Sequence, residues 1–191
     1  MMFMRRTALL ALLTLAFVAR GSASLAETPR SRTVARYAVP DVTLVDQDGA
    51  KVRLRELVDP SKPVLLQFIF TSCSTVCPLM GATFANFQRR LGDESKEVRL
   101  VSISIDPDHD TPARMKEFLQ KLDARPGWTF LTGSREDIRQ VTAAFEARAD
   151  DKSQHSPLTF VSSPADGSWV RLVGLVPASD LVDEHRKVHK K

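Results

Sequence analysis

The sequence predicts an α/β domain in which a central mixed sheet is flanked by helices and preceded by an N-terminal β-hairpin. Its 191 residues, 43% hydrophobic and 26% charged, suit one core-bearing domain and exclude both a disordered tail and a polytopic membrane protein. The apolar run from Val64 to Phe70 suits a strand buried on both faces. Apolar residues at helical spacing follow that run, and the strand-then-helix order repeats along the chain.

Each element has a local reason. Val42 to Val45 and Val52 to Leu54 flank Asp46-Gln47-Asp48-Gly49, a turn-forming cluster, so a hairpin opens the domain. Pro63 and Thr71-Ser72 bound the central strand. After it, Pro78 suits a first helical turn, and Met80, Phe84, Phe87 and Leu91 share one helical face. Val98 to Ile105 is the next buried strand, and Thr111-Pro112 caps and opens a helix whose apolar face is Met115, Phe118, Leu119 and Leu122. Trp128 to Leu131 is short and strand-like. Ser134 with Asp137 resembles a capping box before Ile138, Val141 and Phe145. Leu158 to Ser162 and Trp169 to Val173 close the chain as a hairpin around Pro164-Ala165-Asp166-Gly167. Alternating strands and helices imply parallel pairing with an antiparallel strand added at the end, a thioredoxin-like layout. Sites in such sheets lie beyond the carboxyl ends of the strands.

Outside the domain, residues 1–26 read as a signal peptide. Arg5 and Arg6 precede an apolar run from Ala8 to Ala19, and Ser24-Leu25-Ala26 supplies small residues for cleavage. The run is 12 residues long, short of the roughly 18 to 20 that span a bilayer. Cleavage after Ala26 is expected, with retention of the leader as a membrane anchor the alternative. Residues 27–39 read as a linker or extended arm, 40–178 as the domain and 179–191 as a basic tail, solvated from Arg186 on. Removing the leader takes away three arginines and no acid, leaving 24 basic against 23 acidic residues, a net of +1 in place of +4. That balance does not suit nucleic-acid binding.

The two cysteines of the chain, Cys73 and Cys77, fall in one turn between the central strand and a helix. A bridge across so short a loop would constrain little of the unfolded chain, so chemistry explains the pair better than stability does. A helix N-terminus favours thiolates through its free N–H groups and its dipole. Two such sulfurs can bind a soft metal such as Cu(I), or zinc, or they can exchange disulfides, and spacing alone leaves these alternatives open.

Four blocks in order make a resemblance specific. They are Phe70-Thr71-Ser72-Cys73-Ser74-Thr75-Val76-Cys77-Pro78, Ser102 to Pro107 with Asp110-Thr111-Pro112, Phe130 to Ser134, and His155-Ser156. Over about residues 40 to 175 the chain resembles the Sco/SenC family of copper-binding, thioredoxin-fold assembly proteins. The resemblance implies Cys73, Cys77 and His155 as ligands of copper, Cu(I) and Cu(II). It also implies a metallochaperone of the periplasm, or of the inner membrane facing it. Its partner would be the subunit carrying the dinuclear copper site of cytochrome c oxidase, or another periplasmic copper protein. An imidazole added to two thiolates favours the harder Cu(II). The alternative role is a thiol-disulfide oxidoreductase in which Cys73 and Cys77 are catalytic; a thioredoxin-superfamily peroxidase fits less well. Three positions depart from the common family pattern: Ser74 and Thr75 stand where many members have proline and an acid, and Gln154 where many have an acid.

Other candidates weigh less. His109 sits between Asp108 and Asp110, but Asp110 and Thr111 suit capping and Asp106-Pro107 a turn. His185 and His189 could share a helical face, yet their Lys/Arg-rich surroundings read as a mobile end. Met80 fits the apolar stripe of its helix rather than a thioether ligand. Pro157 either opens an edge strand in the trans form or, as in thioredoxin-like oxidoreductases, is cis and faces the cysteines.

Overall fold

The computed structural model describes residues 31–59, 62–148 and 155–189. The leader, its cleavage point and Gln154 lie outside the described residues.

Among those residues, eight strands form one sheet. In chain order they are β1 (Ser31–Ala35), β2 (Thr43–Asp46), β3 (Lys51–Arg53), β4 (Val64–Ile69), β5 (Arg99–Ser104), β6 (Trp128–Thr132), β7 (Leu158–Ser163) and β8 (Ser168–Val173). Their spatial order is β1-β8-β7-β4-β5-β6-β2-β3. The helices are α1 (Leu54–Leu57), α2 (Val76–Leu91), α3 (Pro112–Lys121), α4 (Arg135–Ala144) and α5 (Ala178–His189), with a 3-10 turn over Gly92–Glu97.

β4, β5 and β6 are parallel, and β7 lies antiparallel to β4 with Leu66 opposite Phe160 and Gln67 opposite Thr159. Every residue of β4 is buried, and its side chains alternate between two cores. Leu65 and Ile69 meet Phe84 and Phe87 of α2, with Leu181 of α5, on one face; Val64, Leu66 and Phe68 meet Ile138, Val141 and Phe145 on the other. The fold is the thioredoxin-like mixed α/β sheet read from the sequence.

Four local readings are corrected. Leu54 does not end the second hairpin strand; its N–H turns back to Val42 O at 3.0 Å and it opens α1. Part of the extended arm is β1, an edge strand paired with β8 through Ser31 opposite Val173. The basic tail carries a helix: residues 178–189 form α5 against α2 with Leu181 and Val182 buried, while Arg186 and Lys187 stay exposed. Finally, Asp110 does not cap α3. Thr111 is the cap, its hydroxyl accepting from Arg114 N at 3.4 Å, while Asp110 is buried and turned towards the end of β4.

Candidate metal centre

β4 ends in the core, and the chain turns over Phe70–Cys73, where Cys73 N–H donates to Phe70 O at 3.3 Å. α2 follows with Val76, Cys77 and Pro78 as its first residues. Pro78 offers no N–H, which leaves those of Val76 and Cys77 at the helix mouth. Thr75 stands at the cap position but makes no cap bond; its hydroxyl lies 3.6 Å from the Cys73 sulfur instead. The Cys77 N–H donates to that same sulfur at 3.4 Å. Cys73 Sγ thus accepts the bond an N-cap oxygen ordinarily takes.

Both cysteines are free thiols, Cys73 half-buried and Cys77 fully buried. Burial pushes Cys73 up, but hydrogen bonds from Cys77 and Thr75 outweigh it and bring the thiol down to about 7. Burial pushes Cys77 well up, and the neighbouring Cys73 adds to the shift. At neutral pH the site therefore holds one sulfur poised to ionise and one protonated partner.

A buried carboxylate fixes the turn. Asp110, 1% exposed, accepts from Thr71 N at 3.1 Å, from the Thr71 hydroxyl, and from the Ser104 hydroxyl at 2.5 Å. Ser72 Oγ reaches Asp106 Oδ2 at 3.4 Å. The cysteine turn is thereby fastened to the loop that leaves β5. Sequence reasoning assigned Asp110 to capping and missed this role; its place just after the buried strand Val98 to Ile105 was the available signal.

His155 lies just before β7. β7 pairs with β4, Gln67 lying opposite Thr159, so the segment that enters β7 runs beside the end of β4. The His155 ring is buried, and Nε2 lies 2.7 Å from Phe68 O. A carbonyl only accepts, so Nε2 carries the proton and Nδ1 carries the lone pair. Burial holds the imidazole below its ordinary range, and therefore neutral at pH 7. Among the described residues, no three His, Cys, Asp or Glu side chains converge as a metal cage. The structure brings the two sulfurs together and sets His155 just ahead of the adjoining strand β7, with Nε2 bound to Phe68 O and Nδ1 given no hydrogen-bond partner among the described residues.

The remaining candidates fall elsewhere. His109 is exposed in the turn after β5, its N–H bonded to Asp106 O at 3.0 Å. Met80 is buried in the core, as its stripe predicted. The Ser156–Pro157 bond is trans, the first of the two readings, but the strand it precedes is no edge: β7 lies between β8 and β4.

A paired-cysteine turn at the mouth of a helix, on the carboxyl end of a central strand in this sheet, defines a thioredoxin-fold dithiol protein. The chain matches the SCO1/SenC family over residues 31–176 and belongs to it. It is 38% identical over 106 residues to the SCO1 protein homolog of Bacillus subtilis (strain 168), a match spanning 54% of each chain. Among solved structures it resembles BsSco, a member of the Sco family of cytochrome c oxidase assembly proteins with a disulfide switch. That likeness has 30% identity and a TM-score of 0.68 and covers 82% of this chain and 95% of that one. The Bradyrhizobium japonicum ScoI structure, which has copper bound, is 26% identical with a TM-score of 0.65, covering 81% of this chain and 99% of that one. No helix among the described residues is long and apolar enough to cross a membrane.

Proposed function

We propose that this chain is an exported copper-binding protein of cytochrome c oxidase assembly that carries copper on Cys73, Cys77 and His155 and passes it to the dinuclear copper site or to another periplasmic copper protein. The observation that carries this reading is the donor set. Two adjacent sulfurs, one of them easily ionised, suit Cu(I), and a neutral imidazole with Nδ1 unprotonated stands just ahead of the adjoining strand. Copper here is cargo, so a site with two prearranged soft ligands and a third that comes in on binding suits capture followed by release. Export rests on residues 1–26, which carry the order of a signal peptide.

Copper titration of the reduced protein tests the proposal. One Cu(I) per chain is expected; Cys73→Ala should abolish tight Cu(I) binding, whereas His155→Ala should weaken mainly Cu(II). Equal stoichiometry and affinity in wild type and the double cysteine variant would sink it.

The second reading, a thiol-disulfide oxidoreductase, draws on the contrast between the two sulfurs. The Cys73 thiolate would attack a disulfide of the partner and form a mixed disulfide, releasing one partner thiolate. Cys77, giving up its proton, would then displace the second, so that the partner gains two electrons and this chain becomes the disulfide. A reduction potential measured beside the copper titration separates the two roles.

A further inference from the structure

Helix α5 carries two histidines that the proposed copper site does not use. His185 and His189 lie one turn apart, with ring centroids 4.2 Å apart and ring planes tilted by 40°. His185 is 9% exposed and meets the Phe87 ring of α2 edge-on at 5.7 Å. His189 Nδ1 lies 2.7 Å from His185 O; the carbonyl accepts, so Nδ1 is protonated and Nε2 carries the lone pair. His189 Nε2 and His185 Nδ1 are both buried, and neither has a hydrogen-bond partner among the described residues. Buried polar atoms ordinarily find one.

We propose that His185 and His189 form a second metal site, one that takes a borderline divalent cation such as Zn(II) or Cu(II) without help from sulfur. Histidines four apart on a helix present two nitrogens to one point, the arrangement by which helical His pairs hold zinc. Imidazole suits Zn(II) and Cu(II) and, unlike a pair of thiolates, does not favour Cu(I). Burial keeps both rings neutral at pH 7, so no proton has to be displaced. Arg186 and Lys187 are cationic neighbours. Binding therefore draws on nitrogen lone pairs rather than on a negative field. The pair is remote from the cysteines: Phe87 follows Cys77 by ten residues of one helix, about 15 Å at 1.5 Å per residue.

The test uses tag-free full-length chain carrying Cys73→Ala and Cys77→Ala, so that sulfur contributes nothing, titrated with Zn(II) by calorimetry. One Zn(II) per chain is expected, with affinity falling at least about tenfold when His189→Ala is added. His189 is half-buried in the last helical turn, and metal-free melting curves check that the fold survives its loss; His189→Gln repeats the test at closer volume. In the same proteins Cu(II) should show nitrogen hyperfine coupling that His189→Ala reduces. Absence of Zn(II) binding in the cysteine-free chain, or equal affinity with and without His189, overturns the proposal. Neither result depends on whether Cys73 and Cys77 bind copper.

Discussion

The backbone N–H of Cys77 donates to the Cys73 sulfur at 3.4 Å, in the place where a helix cap would sit. A sulfur that accepts from a helix N-terminus is stabilised as thiolate, and the Thr75 hydroxyl assists from 3.6 Å. Alkylation followed by mass spectrometry over roughly pH 5 to 9 should therefore label Cys73 first, with a midpoint near 7, and leave Cys77 protected. Thr75→Val removes a donor and should move the midpoint up. An unmoved midpoint would assign the whole effect to the backbone.

Copper capture should release protons. Metal-bound cysteines are thiolates, so Cys77, whose burial holds its proton, gives up one per ion at neutral pH, while Cys73 gives up part of one. Apparent Cu(I) affinity is then expected to rise about tenfold per pH unit above pH 7 and more steeply below it. Competition against a chromophoric Cu(I) chelator at several pH values reads the slope. A flat profile would mean that the ion is not held by both sulfurs.

Asp110 should matter for stability although it touches neither sulfur. Asp110→Ala strands the buried Ser104 hydroxyl, at about 1 to 3 kcal/mol, and the part-buried Thr71 N–H and hydroxyl, at less for each. Urea unfolding is expected to show a loss on the order of 3 kcal/mol. Asp110→Asn, which keeps one acceptor, should lose less. If both variants unfold like wild type, the carboxylate does not anchor the turn.

Much of this was legible in the sequence, for local reasons. The Val64 to Phe70 run is apolar throughout because both faces of β4 are covered, and Ser134 and Thr111 cap helices with the bonds their spacing predicts. What escaped depends on contacts between distant segments. β1 has four exposed residues and no apolar alternation, so only its pairing with β8 makes it a strand. α5 hid behind its Lys/Arg-rich end, yet Leu181, Val182 and His185 form the buried stripe that lies on α2. At the site, the adjacency of the cysteines is local and was read directly. The posture of His155, fixed by the Phe68 carbonyl 87 residues earlier, was not.

The packing of α5 on α2 also predicts a pH dependence of stability. Burial, assisted by the charges of His189 and Arg186, pushes His185 down to about 4, and burial lowers His189 as well. The residues around the pair leave a proton no welcome. Phe87 offers no hydrogen-bond acceptor, Arg186 and Lys187 are cations, and Glu184 on the same helix is bonded to Arg32 at 2.8 Å. An unfolded histidine takes its proton near about 6.5. Between these values the unfolded chain binds a proton that the folded chain refuses. Stability from this residue is thus fully present above about pH 6.5 and drains away as pH falls towards 4. Urea midpoints at several pH values from neutral down to about 5 should fall for wild type. His185→Phe keeps a ring against Phe87 without a titrating nitrogen, so its midpoint should fall less. Carboxylates and His155 titrate in both proteins and cancel in the difference, which isolates His185. Parallel curves for the two proteins would mean that α5 admits the proton without leaving α2.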